Sequence, residues 1–176
     1  MPRQPQLRAY DNNQTKTYRA ERAALKKLKK HTKRFETINA CRAFVNSITI
    51  MPVWQSLNGP QIVPIKSMPR LGRRSIFIRR RALGLTKYKA TKPSGNYEFS
   101  HISLAPREIW RGSRGGFDNF TILHELAHVV NPFQEKHGPQ FLRAHLMLLK
   151  NVLGAETADI FERAYLLENL EIAPEK

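Results

Sequence analysis

Between residues 119 and 130 the chain obeys two periodicities at once, and few folds accommodate both. Leu123, Leu126, Ala127 and Val130 fall at i, i+3, i+4 and i+7, the spacing of an apolar helix face that seeks burial. His124 and His128 stand four apart, so they stack on one side of the same helix, with Cβ atoms about 5–6 Å apart. Asp118 or Asn119 can cap its start. Asn131-Pro132 must end it, because a residue before proline is pushed out of the α region. The segment reads as a core helix that presents two imidazoles to one point.

Two histidines one turn apart can grip one metal ion, and zinc takes such nitrogen ligands in tetrahedral geometry. Glu125 follows the first of them in His124-Glu125-Leu126-Ala127-His128, where its carboxylate can reach an activated water as general base. A catalytic zinc needs a third protein ligand and one open position. His137, in His137-Gly138-Pro139-Gln140-Phe141, is favoured for that place: the adjacent glycine and proline fix the chain direction and a helix starts immediately after it. Glu135 is the rival, since carboxylates also bind zinc. The expectation is one Zn2+ per chain on His124, His128 and His137, with Glu125 catalytic. The plainer reading of the pair is two surface histidines on an amphipathic helix.

At 176 residues the chain is long enough for one domain with its own core. Residues 1–12, with Pro2, Pro5, Asp11 and Asn12, read as a flexible arm, and 13–176 as a single domain. A helix is expected from about Thr15 to Phe35, with Tyr18, Leu25 and Thr32 in one row and Glu21, Leu28 and Phe35 in its neighbour. A second starts near Thr37, a suitable cap, with Ile38, Cys41, Phe44 and Val45 inward. The middle reads as β: Gln61–Met68, Ser75–Arg79, and Tyr97–Leu104, the last proposed as an exposed edge for a substrate strand. Between them residues 79–92 form a basic, turn-rich connection, and the three glycines of 111–116 a mobile loop. Gly138-Pro139 opens a helix that buries Phe141, Leu142, His145, Leu146, Leu148 and Leu149 and stops at Gly154. A last helix covers about 156–170, with Ile160, Phe161, Ala164 and Leu167 inward. Trp54 and Trp110 read as packing residues.

The charge is uneven. Of 30 Lys and Arg, 25 lie in residues 1–117 with only 5 of the 14 acidic residues, within a net charge of +16. Such a bias points to a polyanion, most simply nonspecific, salt-dependent contact with nucleic acid through Lys26, Lys27, Lys29, Lys30, Lys33, Arg34 and Arg79, Arg80 and Arg81. The alternative is a solvated basic face. No apolar run nears the roughly 18 residues of a membrane span, and the lone Cys41 makes no internal disulfide, so a cytoplasmic protein is expected. Nothing in the sequence sets an oligomeric state.

His124-Glu-Leu-Ala-His128 followed by His137-Gly-Pro-Gln-Phe141 resembles the zinc-binding core of SprT-like (Spartan-type) metallopeptidases. The chain is similar, more closely, to a family of metallohydrolases of actinobacteria and their phages through Thr17-Tyr18-Arg19-Ala20-Glu21-Arg22, Ile102-Ser-Leu-Ala-Pro106 and Thr121-Ile-Leu. This resemblance implies an α+β, zincin-like fold: a small mixed β-sheet packed against the active-site helix, with further helices at both ends. It implies a zinc metallopeptidase acting on protein or peptide, with DNA-bound proteins a fitting target, in the host cytoplasm if phage-encoded. His145 and Tyr165 are candidate donors to the oxyanion, although His145 at helical spacing reads first as a core histidine. The competing reading is a basic nucleic-acid-binding or phage structural protein with a purely architectural zinc, closed by four protein ligands.

Overall fold

The computed structural model describes residues 11, 13–68, 84–90, 97–105, 116–131 and 136–175. Among these the chain is mixed α and β, with six α-helices and a three-stranded mixed sheet. The helices are α1 (Gln14–Lys27), α2 (Ile38–Thr49), α3 (Pro52–Ser56), α4 (Asn119–Val130), α5 (Pro139–Leu153) and α6 (Ala155–Leu167). The strands are β1 (Ile65–Ser67), β2 (Gly84–Ala90) and β3 (Tyr97–Leu104).

The helix containing the histidine pair forms as its sequence directs. The Asp118 carboxylate accepts from the backbone N–H of Thr121 at 2.9 Å, satisfying one of the orphan donors at the start of α4. Leu123, Leu126 and Ala127 are fully buried. Thr37 caps α2 in the same way through the N–H of Ala40. Pro139 sits in the first turn of α5, and Gly154, at φ 98°, ends that helix in a conformation only glycine adopts easily. The six residues expected inward on α5 are all buried.

Four expectations are corrected. The basic helix does not reach Phe35. It stops at Lys27, passes through a 3₁₀ turn (Lys29–His31), and the chain then pairs with the start of α4. Phe35 N–H donates to Phe117 O at 2.8 Å, and the buried Asn119 side chain accepts from Lys33 N–H and donates to His31 O. Tertiary pairing thus overrides the helical tendency of a Lys-rich run. The part of the 79–92 connection that is described, 84–90, is strand β2, paired antiparallel with β3. Because β1 pairs with β3 in parallel on the other side, Tyr97–Leu104 is the central strand and not an edge. Leu167 is 80% exposed, and Tyr165 takes the inward place on α6.

Ser75–Arg79, residues 111–115 of the glycine-rich loop, Trp110 and all of the predicted arm except Asp11 lie outside the described residues. Trp54 is a core residue, its indole N–H donating to Pro60 O at 2.9 Å.

The sheet meets α4 through β2. Ile102 and Leu104 of β3 are buried in the core, as their alternation predicts, and Gly84 and Thr86 of β2 lie opposite Leu104 and Ile102. α5 and α6 pack beyond α4, and α1 packs against α6. The helix with the histidine pair is therefore wedged between a strand and a helical layer.

Candidate metal centre

The side chains of His124, His128 and His137 converge. Their ligand atoms all lie within 4.8 Å of one another, close enough to hold one metal ion. His124 and His128 come from successive turns of α4, and His137 stands one residue before the Gly138 cap of α5. Phe141, one turn into α5, is the apolar floor beneath all three rings, with centroid distances of 5.0, 4.3 and 4.9 Å to His124, His128 and His137. Its burial, of the order of 1.5–3 kcal/mol, anchors the helix start that carries His137. Glu135 lies outside the described residues.

The orientation of two rings comes from a part of the chain that the sequence did not implicate. Glu21, on α1, places Oε1 2.7 Å from Nδ1 of His124. Asp11, just before α1, places Oδ2 2.5 Å from Nδ1 of His137. An ionised carboxylate only accepts, so each Nδ1 carries the hydrogen and each Nε2 is left to face inward. The two Nε2 atoms stand 3.3 Å apart. Two lone pairs aimed at each other in a buried site repel unless a cation or a proton lies between them, and this is the donor arrangement a metal ion satisfies.

Protonation follows the same geometry. Burial works against a charge on His124, but the Glu21 carboxylate and its hydrogen bond outweigh it and raise the imidazole above its usual value. His128 is driven well below the usual range by burial and then by the charges of its neighbours, and His137 is lowered by burial and His124 against the pull of Asp11. A proton on His124 competes with a cation for the same inward nitrogen, so binding of a metal at this pair is coupled to proton release.

Glu125 is buried, and two features of β2 fix it. Thr86 Oγ1 lies 2.7 Å from Glu125 Oε2 and 3.0 Å from the Glu125 backbone oxygen. Gly84 leaves room for it: a Cβ at that position would sit 2.6 Å from Glu125 Cγ and 2.7 Å from Oε1, inside any tolerable contact. Burial raises the Glu125 carboxyl above its usual value, opposed by His124 and the Thr86 hydrogen bonds, the direction a general base near neutral pH requires. One strand step further, Tyr88 O–H donates to the backbone oxygen of His128. Gly84, Thr86 and Tyr88, at period two, thus line the face of β2 turned to α4.

Behind His124 a second polar group continues inward. Tyr165, raised well above the ordinary tyrosine value by burial and then by Glu21, keeps its proton and donates it to Glu21 Oε1 at 3.3 Å. His145 Nδ1 lies 2.7 Å from the same hydroxyl, and burial above all pushes this imidazole down to about 3. Glu21, His124 and His145 also bring donor atoms within 4.8 Å. At 2.7 Å, however, the Glu21–His124 pair is a closed hydrogen bond with no space for an ion. His145 and Tyr165 therefore back the Glu21 carboxylate, and both are fully buried.

Among the described residues, no basic side chain singled out from the sequence joins this cluster. Lys26 and Lys27 end α1, where cations suit the helix dipole, and they are exposed together with Lys30, Lys33 and Arg34. Lys29 opens the 3₁₀ turn. Arg79, Arg80 and Arg81 lie outside the described residues. Among the described residues no helix is long and apolar enough to cross a membrane.

Glu21 and Asp11 were invisible as functional groups. Glu21 gave one signal, a carboxylate in the same row as Leu28 and Phe35, where a charge needs a buried partner. Asp11 gave none. Comparison with protein-family models, with curated proteins and with solved structures finds no match to this chain.

Proposed function

We propose that the chain is a zinc-dependent metallopeptidase with a zincin-like active-site helix, its ligands being His124, His128 and His137 and its general base Glu125. One observation carries the reading: three imidazoles, those of His124 and His137 buried and that of His128 half-buried, converge within 4.8 Å beside a buried carboxylate that is itself held by Thr86. The 3.3 Å between the Nε2 atoms of His124 and His137 supports zinc in particular, because nitrogens bound tetrahedrally at 2.0–2.1 Å stand about 3.3–3.4 Å apart.

A zinc ion held there supplies a Lewis acid and water made acidic enough to lose a proton near neutral pH. Glu125, its carboxylate kept in place by the Thr86 hydroxyl and the space over Gly84, would accept a proton there as general base and hand it to a leaving amine. His124 and His137 are held by their carboxylates, so neither ring must turn during turnover. The excess of cations in residues 1–117, displayed on α1 and the segment after it, favours substrates associated with nucleic acid through nonspecific phosphate contact.

Metal analysis and one isosteric variant test the proposal together. Purified protein is expected to hold about one zinc per chain with three nitrogen ligands and an oxygen from water in its X-ray absorption spectrum. Glu125→Gln is expected to keep the metal and lose about 10²–10⁴-fold in peptide hydrolysis. Full proteolysis by Glu125→Gln with zinc bound would sink the assignment. A closed shell of four protein ligands would favour the architectural-zinc protein, and hydrolysis confined to non-peptide bonds would keep the metallohydrolase but not the peptidase.

A further inference from the structure

We infer that Asp11 and Glu21, on one short amino-terminal segment, are positioning residues that clamp the tautomers of His137 and His124, so that metal retention and the docking of α1 are two sides of one equilibrium. The inference rests on the metal site proposed above and concerns how this chain holds it.

Both carboxylates reach Nδ1, the ring nitrogen turned away from the cluster, at 2.7 Å for Glu21 and 2.5 Å for Asp11. Each donates nothing, so each selects the tautomer that leaves Nε2 free to bind a cation, and each makes that nitrogen a stronger base. The two contacts lie ten positions apart on the chain, yet they hold ligands from two different places, the middle of α4 and the loop before α5. Glu21 stands two turns into α1, and Asp11 three positions before its first residue. The inward side of α1 is otherwise small, with Thr17, Ala20 and Ala24 buried, so it lies close to the layer below.

Glu21 is itself held from behind. Tyr165 of α6 donates to the same Oε1 that faces His124, and α1 packs along α6. One turn before Glu21, Tyr18 lays its ring against both ligand imidazoles, at 5.7 Å from His124 and 5.2 Å from His137. Three residues of one segment thus touch the outer side of two ligands. None of them is needed to make an HExxH helix.

Coupling of this kind is reciprocal: whatever α1 adds to metal affinity, the metal adds to the docking of α1. Hydrogen exchange of the α1 amides is therefore expected to slow when zinc is added, by the same factor by which undocking α1 weakens zinc binding. Two carboxylates near the site also offset part of the charge of a divalent ion in a buried place.

The test compares zinc affinity by chelator competition in the wild type, Glu21→Gln, Glu21→Ala and Asp11→Asn, with Glu36→Gln as a control. Glu36 is an exposed acid on the segment after α1 and reports loss of one negative charge without loss of a contact. Glu21→Gln keeps an acceptor for Nδ1, so it is expected to weaken zinc less than Glu21→Ala. Glu21→Ala is expected to weaken it about 10–100-fold, Asp11→Asn, which like Glu21→Gln keeps an acceptor, by less, and Glu36→Gln to leave it unchanged. Imidazole nitrogen NMR of the metal-free wild type adds a readout independent of zinc and of catalysis, in which the hydrogen shared by His124 with Glu21 and by His137 with Asp11 is assigned to Nδ1. Wild-type zinc affinity in both Glu21→Ala and Asp11→Asn, or Nε2–H tautomers at both rings, overturns the inference. A wild type that binds no zinc while keeping Nδ1–H at both rings overturns the metallopeptidase reading and the metal half of this one, leaving the tautomer clamp standing.

Discussion

The two flanks of α4 hold their residues by different physics. On the β2 flank the functional group is a carboxylate, and what fixes it is steric and neutral: the missing side chain of Gly84, the Thr86 hydroxyl, and Tyr88 on the backbone of His128. On the α1 flank the functional groups are imidazoles, and what fixes them is a carboxylate on the Nδ1 of each ring: Glu21 on His124 and Asp11 on His137. A base that must gain and lose a proton is poorly served by a strong charged partner, which would set its pKa once and for all. A metal ligand gains from such a partner, because it need never change state. The division suggests that damage on the β2 flank should appear in turnover, and damage on the α1 flank in metal retention.

Gly84→Ala tests the steric half and is expected to have the largest effect of the β2 substitutions. A Cβ 2.6 Å from Glu125 Cγ must displace the carboxylate, and misplacement by about 1 Å can cost on the order of 10²-fold in rate. Peptide hydrolysis should fall by that order while zinc content stays at wild-type level. Parallel loss of zinc would show that the flanks are not separable. Thr86→Val, which keeps the β-branched shape and removes the hydroxyl, should be milder. Losing one hydrogen bond of about 1–2 kcal/mol to Glu125 predicts a fall in kcat of roughly tenfold, with KM steady. Equal rates would mean that packing against β2 alone positions the base.

The smallest effect on catalysis is expected from Tyr165→Phe. It leaves Glu21 with one donor fewer and strips the buried His145 Nδ1 of its partner, a loss of about 1–3 kcal/mol in stability that thermal unfolding would read. With zinc saturating, hydrolysis should remain near wild type, since the hydroxyl is fully buried and bonded to Glu21. A large loss of turnover at full zinc occupancy would return Tyr165 to the oxyanion role first considered for it.

The parts of this site that were legible in the sequence are those set by local rules. α4 and α5 could be drawn from their apolar spacing, from Asp118 and from Gly138-Pro139 and Gly154, and the two imidazoles of α4 follow from a spacing of four. The third ligand could be chosen because its neighbours fix chain direction. β2 was hidden by its own charges: Lys87 and Lys89 sit on the opposite side from Gly84, Thr86 and Tyr88, and the run reads as a basic connection until β3 pairs with it. The end of α1 was missed for a related reason, since what stops the helix is Asn119, far along the chain, gripping Lys33 and His31. The Glu21 and Asp11 contacts span 103 and 126 residues, and no local pattern encodes them.

Those separations have a consequence for how the molecule is made. The three imidazoles lie within a stretch of 14 positions, 124–137, and can meet as soon as one helix and one turn exist. α1 is made before α4, α5 and α6 but rests against α6, and Tyr165 closes onto Glu21 across 144 residues. A basic helix therefore waits without its partner until α6 is made, and contacts of such long range form late because loop closure must precede them. The nascent chain can catch a metal ion loosely before it is complete. It can hold that ion firmly only when the two ends of the fold have found each other.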